Sequence, residues 1–387
     1  MIATIVMSLV ASAVLTYVVH GLAIRNGFVD SPDGLRKLHQ SPVALGGGIA
    51  LVVAFLGSMI AVHLCSHAWM PQTRGLDSRL WMMIAAGAVI AGIGVADDRR
   101  AMRAKTKLLG QLAAATVVTG CGIVVRQIQF GGTQLDLGWF AVPLTIFGLV
   151  AAMNAVNLLD GADGVASGIS TVILLTLACL ATILGKPQIG LLSILFANAV
   201  LGVLWHNTPP ARIYLGDAGS MFLGLVLGSL TILVVNGPQG LPLFPALAIW
   251  TIPVLDSACA IVRRWLNDRP VFEGDRAHIH HCLRSFLGND YAVLACLVAC
   301  CFLPSVSAVA SVWLQNSSIA LAGFLAVPAA LVIGRVFGHM EIGLLARLMP
   351  GFARSPQPTL APLLPTNGST TIRAREPSHG QLEIKAP

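Results

Sequence analysis

Leu137-Gly-Trp-Phe-Ala-Val-Pro-Leu-Thr-Ile-Phe-Gly-Leu-Val-Ala-Ala-Met-Asn154-Ala-Val-Asn157-Leu-Leu-Asp160-Gly-Ala-Asp163-Gly164 is the stretch on which the fold turns. Its apolar part is long enough to cross a bilayer, which takes roughly 20 residues. Its last third sets two amides and two carboxylates at every third position. Acidic groups at a helix C-terminus oppose the helix dipole by a few tenths of a kcal/mol or more. Two carboxylates there suggest something cationic among the four polar groups, which Gly161 and Gly164 let converge by allowing the backbone to leave the helix; the plainer reading is a polar helix stop followed by a glycine turn.

Outward from that stretch the chain repeats its pattern. Of its 387 residues 56% are hydrophobic and only 11% charged, with a mean hydropathy of +0.79. A soluble domain carries about 25% charged residues. The composition therefore predicts an all-α polytopic membrane protein. Eleven spans are expected, near 2–24, 43–65, 80–96, 108–126, 137–156, 165–184, 188–206, 219–236, 241–262, 291–314 and 318–338. Residues 1–340 form one membrane domain in this reading. Residues 341–387 form a Pro-rich, disordered tail. The apolar start, without a basic region before it, reads as a retained first span rather than a signal peptide.

Charge sets the orientation. Loops after odd-numbered spans hold 14 of the 24 Lys and Arg, those after even-numbered spans hold four, and the C-terminal region holds six. By the positive-inside rule the N-terminus is periplasmic and the C-terminus cytoplasmic. Eleven of the 17 carboxylates fall on that same inner side, against Asp77 and Asp136 on the outer one. A basic bias alone needs no carboxylates, so their excess points to a site on the cytoplasmic face. The net charge of +7 is spread over short loops without a basic aromatic face, which excludes nucleic acid as a partner. The eight cysteines include no CxxC pair and predict neither a disulfide framework nor a cysteine zinc site.

Five further motifs fall on the inner side. The first loop reads Asn26-Gly-Phe-Val-Asp30-Ser-Pro-Asp33-Gly-Leu-Arg36-Lys37-Leu-His39, and Gly46-Gly47-Gly48 follows. Three glycines opening a helix permit close approach, to a neighbouring helix or to a phosphate; helix packing is the favoured reading. Asp97-Asp98-Arg99-Arg100, then Lys105 and Lys107, closes the third span. Adjacent carboxylates repel and are seldom placed together without a cation or a proton; an inner-face charge cluster with weak local salt bridges is the plainer reading. Gly216-Asp217-Ala-Gly219-Ser220 opens the eighth; Asp217 is either a simple N-cap or a ligand holding Mg²⁺ against a phosphate. Asp256 lies about two turns before Arg263-Arg264; an ionisable residue at that depth is by default functional, although pairing with a loop arginine is an adequate structural account. Arg276-Ala-His278-Ile-His280-His281 fits phosphate recognition better than zinc, since nothing nearby completes a zinc site. Hard oxygen ligands beside Arg, Lys and His donors suit magnesium-assisted phosphoryl transfer.

Asp97-Asp98 with Lys107, the Asn154–Gly164 run, Gly216–Ser220 and His278–His281 resemble, in order and spacing, the motifs of the polyprenyl-phosphate N-acetylhexosamine-1-phosphate transferases. The resemblance covers about residues 1–340 and is stronger to the WecA branch than to MraY. It implies a multi-pass protein of the bacterial inner membrane. It also implies transfer of N-acetylhexosamine 1-phosphate, first of all GlcNAc 1-phosphate, from a UDP-sugar to undecaprenyl phosphate. UMP leaves, in the first membrane step of a cell-surface polysaccharide such as O-antigen. Asn157 and Asp217 then correspond to ligands of Mg²⁺ (or Mn²⁺). Lys107, Asn154, Arg276, His278 and His281 correspond to substrate-binding groups. Asp97, Asp98, Asp160, Asp163 and His280 correspond to the catalytic set. Membrane lipid is a partner, and a homodimer is compatible with the resemblance. Donors carrying a deoxy or amino sugar or MurNAc-pentapeptide remain open, and an ion-coupled transporter is the alternative outside the enzyme class.

Overall fold

The computed structural model describes residues 2–31, 42–69, 77–130, 132–237, 240–269 and 277–347. Apolar runs become helices and polar breaks become short turns. In chain order the elements are α1 (Ile2–Arg25), β1 (Val29–Asp30), β2 (Val43–Ala44), α2 (Gly47–Trp69), α3 (Ser78–Arg99), α4 (Ala104–Gly120), β3 (Gln127–Phe130) and β4 (Thr133–Asp136). They continue with α5 (Ala141–Leu159), α6 (Val165–Ile183), α7 (Pro187–Asn207), α8 (Gly216–Val235), α9 (Leu243–Ile249) and α10 (Thr251–Leu266). The last four are α11 (Ile279–Leu287), α12 (Asp290–Trp313), α13 (Ser317–Ile333) and α14 (His339–Arg347). The only sheets among the described residues are two antiparallel ribbons, β1–β2 and β3–β4. A protein crossing lipid must satisfy its backbone internally, and helices do that.

Eight helices are long and apolar enough to cross a membrane, and α9 with α10, bent by 78°, would make a ninth. The expected spans at 108–126 and 318–338 meet α4 and α13, each of 17 residues. α4 stops short because Gly122 turns the chain at φ +91° into the β3–β4 ribbon. Apolarity alone does not reveal that turn.

α8 is the axis of the bundle, with α2, α3, α5 and α6 packed against it. It is also the most buried span, 89% of its central window lying inside the protein. Lipid-solvated helices gain little from burying apolar surface against one another, so close backbone approach at small residues carries their association. Gly224 faces the backbone of Met153, and Gly94 faces that of Ala218. Gly48 faces the backbone of Gly219. Phe55, Phe196 and Phe222 fill the space between α2, α7 and α8. The Gly46–Gly48 run therefore serves packing, as favoured. The N–H groups of Gly47 and Gly48 donate to the carbonyls of Tyr214 (3.0 Å) and Leu215 (2.9 Å), so neither is left for a phosphate.

The α9–α10 bend sits at Trp250, whose indole donates to Thr231 Oγ1 at 3.0 Å. Beyond it, α10 carries Asp256 and Arg264 inward, both buried. The chain clusters into two units, Met1–Leu345 and Ala346–Pro387. α14 runs past the boundary expected at 340, and buried Glu341 accepts a hydrogen bond from Arg263. The Pro-rich tail from 348 onward lies outside the described residues.

Candidate active site

Five helix ends meet at one end of the bundle. The C-terminus of α3 brings Asp97 and Asp98, the start of α4 brings Lys107, and the C-terminus of α5 brings Asn154 and Asn157. The starts of α6 and α8 bring Gly164 and Asp217. Asp98, Lys107, Asn154, Asn157 and Asp217 line a cavity of about 1360 Å³ that also takes in Asp160, Asp163, Tyr214, Arg264, His278, His280 and His281. One wall is apolar, built from Leu108, Phe147, Val150, Ala151 and Ile261.

The centre is a cation among oxygens. Lys107 Nζ lies 2.6 Å from Asp217 Oδ2, 3.2 Å from Asp97 Oδ2 and 3.4 Å from Asn157 Oδ1. Asn157 Nδ2 donates to Asp217 Oδ1 (2.5 Å) and to Ser220 Oγ (2.8 Å). The cation demanded by carboxylates at helix C-termini is thus supplied partly by Lys107. Asp97 also accepts from the Met102 N–H at 2.5 Å.

Asp98 settles what caps α8. Its two oxygens accept from the N–H groups of Asp217 (2.8 Å) and Ala218 (3.3 Å). Gly216, at φ +70°, brings the backbone against it; a Cβ there would come within 2.7 Å of Asp98 Oδ2. The N-cap residue of α8 is Leu215, without a side-chain cap bond. The reading of Asp217 as a simple N-cap is therefore corrected. A neighbouring helix caps α8, which frees the Asp217 carboxylate for the cavity.

Asp160 and Asp163 follow α5 in the turn. Burial, with the carboxylates of Asp217 and Asp98 nearby, pushes the Asp160 carboxyl well above the usual carboxylate range. Asp163 accepts from the Ala211 N–H at 2.8 Å, tying the turn to the segment before α8. Asn154 lines the cavity with its amide already in use, donating to Gln111 Oε1 and the Val150 carbonyl, both at 2.8 Å.

The histidines enter from α11. Asp256 Oδ2 lies 2.9 Å from His278 Nδ1, so its partner is a histidine and not the loop arginine expected from the sequence. His278 and His280 stack 5.9 Å apart at 3°, and His280 meets His281 at 4.2 Å. His280 is 4% exposed, and neither ring nitrogen has a hydrogen-bond partner. Burial, and next the His281 ring, lowers its pKa to about 3, so it is neutral at physiological pH. Its ring rests on Gly161, where a Cβ would lie 2.7 Å from Nε2. Arg276 lies outside the described residues, as do residues 32–41 of the first loop.

Sequence reasoning missed three supports. Gln111 pairs with Asn154, and Ser220 holds Asn157. Asn207 accepts from the Gly164 N–H (3.1 Å) and donates to the Ile213 carbonyl (2.9 Å). A polar residue inside an apolar run marks Gln111 and Asn207, but only the tertiary structure supplies their partners.

The donor set fits magnesium. Asp217 and Asn157 present oxygens around one cationic position, and a substrate diphosphate would supply the rest, as Mg²⁺ commonly requires. Among the described residues no three His, Cys, Asp or Glu side chains cluster as a metal site of their own.

The chain is similar to known proteins. Residues 80–235 match the profile of glycosyl transferase family 4. The chain is 32% identical over 320 residues to a probable undecaprenyl-phosphate N-acetylglucosaminyl 1-phosphate transferase of Bacillus subtilis (strain 168), covering 80% of this chain and 86% of the relative. It is 34% identical over 302 residues to the decaprenyl-phosphate N-acetylglucosaminephosphotransferase of Mycobacterium tuberculosis (strain ATCC 25618 / H37Rv), covering 70% and 73%. A phospho-N-acetylmuramoyl-pentapeptide-transferase of Desulforudis audaxviator (strain MP104C) is 30% identical over 276 residues, covering 65% and 80%.

Proposed function

The chain belongs to glycosyl transferase family 4, among the polyprenyl-phosphate N-acetylhexosamine-1-phosphate transferases, and from that premise we propose the reaction its cavity performs. It transfers N-acetylglucosamine 1-phosphate from UDP-N-acetylglucosamine to undecaprenyl phosphate and releases UMP. The relatives named for GlcNAc 1-phosphate transfer support the sugar and the polyprenyl acceptor. The observation that carries the reading is the single cationic position shared by Asp97, Asn157, Asp217 and Lys107, beside an apolar wall suited to an isoprenoid chain.

The residues divide the work. Asn157 and Asp217 hold Mg²⁺, which when bound neutralises charge on the diphosphate. Lys107 moves from the carboxylates to the diphosphate as the donor enters, since its ammonium already faces the cavity. Asp98 caps α8 and so fixes the direction of Asp217. Asp97 orients the lipid phosphate; a phosphate monoester has its second pKa near ~6, so its attacking oxygen is mostly deprotonated at neutral pH and needs little help from a base. Asp160 and Asp163 shape the nucleotide region. His278, His280, His281 and Arg276 hold the sugar phosphate. The site faces the cytoplasm in an eleven-span inner-membrane protein, as the Lys and Arg distribution supports.

Purified protein with Mg²⁺, undecaprenyl phosphate and a panel of UDP-sugars tests this. UDP-GlcNAc should release UMP and give a lipid diphosphosugar, whereas UDP-MurNAc-pentapeptide should not. One P–O–P linkage replaces another, so labelled UMP should return into the UDP-sugar pool. Well-folded protein that releases no UMP with any donor, yet moves a solute across liposomes, would overturn the reading in favour of a transporter.

A further inference from the structure

Asp256 does not line the cavity, yet its carboxylate is fully buried in α10. A buried carboxylate costs several kcal/mol unless its oxygens are paired with donors. Here each oxygen has one: Oδ2 pairs with His278 Nδ1 at 2.9 Å, and Oδ1 accepts from the Ile279 N–H at 2.8 Å. The second bond caps α11, whose own N-cap residue, His278, makes no side-chain cap bond. This is the device Asp98 provides for α8, a carboxylate from another helix supplying a missing cap.

The first bond has a chemical consequence. A carboxylate only accepts, so His278 Nδ1 must carry a proton, and Nε2 is the nitrogen left for the cavity. His278 in turn carries the stack, parallel to His280, which meets His281. His280 has no hydrogen bond of its own to fix its ring. Its place against Gly161 depends on packing within that stack.

We propose that Asp256 is a positioning residue of the transferase, acting through His278: it sets the proton on Nδ1, pins the first turn of α11 and thereby registers the histidine stack over Gly161. The proposal rests on the transferase reading. It assigns Asp256 no contact with substrate. Carboxylates that orient a functional imidazole in this way are typically worth about 10–100-fold in activity.

Asp256→Asn is the test, because its single oxygen can serve His278 or Ile279 but not both. The expected result is a loss in kcat/KM for UDP-GlcNAc of about 10–100-fold. The same substitution in a His278→Ala background should cost no more than about twofold further, the margin within which independent effects add. Additive losses in that cycle would overturn the proposal. Nitrogen-15 NMR of labelled histidine, with His278 assigned by its loss in His278→Ala, gives a second readout that needs no turnover. In the wild type Nδ1 should carry the proton, and in Asp256→Asn the His278 signals should shift. A wild-type His278 with a bare Nδ1 would also overturn it, even if Asp256→Asn fails to accumulate. A wild type inactive with every UDP-sugar sinks the transferase reading instead, and the NMR arm still decides whether Asp256 orients His278.

Discussion

Replacing Asp217 by asparagine separates chemistry from folding. Asparagine keeps the shape but turns one oxygen into a donor, facing either Lys107 Nζ (now 2.6 Å away) or Asn157 Nδ2 (2.5 Å). A donor left against a donor costs about 1–3 kcal/mol when buried. The Asp217 side chain is 27% exposed, and Lys107 keeps Asp97 at 3.2 Å. Partial solvation puts the loss at the low end, about 1 kcal/mol, or a Tm drop of a few degrees. Losing one preorganised charge at the reacting diphosphate costs more, about 10²–10³ in rate. UMP release measures the rate, and thermal unfolding with and without MgCl₂ measures binding apart from turnover. MgCl₂ should raise the wild-type Tm and leave that of Asp217→Asn unmoved. Turnover within a few-fold of wild type, with the Mg²⁺ shift retained, would refute the assignment of Asp217 to the metal.

Three other substitutions probe the same arrangement. Asp97→Asn should lose activity by the same factor from pH 6 to 9 if Asp97 orients the acceptor; a defect that vanishes at high pH would make it a base instead. Gly48→Ala puts a Cβ into the backbone of Gly219, where no side chain can move aside, so the destabilisation should exceed the roughly 1–3 kcal/mol of ordinary overpacking and the protein should fail to accumulate. His280 is neutral in the folded chain down to a pH of about 3 because it is buried. The unfolded chain takes up that proton below about pH 6.5. Stability should therefore fall as pH drops from about 6.5 towards 3, by up to about 1.4 kcal/mol per unit. Thermal unfolding of His280→Gln from pH 5 to 8 should show a shallower slope.

The sequence by itself determined the class of protein and the polar groups that gather at one end of the bundle. Apolar runs of bilayer length admit only a helical or barrel solution, and their continuous hydrophobicity selects helices. Carboxylates at the C-terminal ends of apolar helices are unfavourable alone, so Asp97, Asp98 and Asp160 read as a candidate site from their positions in the chain. The shared end of the bundle followed from the same polar breaks. Partnership was not legible, because the hydrogen bonds between helices around the site join residues from 22 to 120 positions apart. Asp217 reads equally as a cap and as a ligand; Asp98, 119 residues away, removes the first reading by capping α8 itself. Asp256 suggests a loop arginine, but the 78° bend at Trp250 carries it to His278. Local pattern decides where a helix stops and which residues it presents there. Only the packing of α8 among its neighbours decides which of those residues are spent on holding the backbone and which are left for substrate.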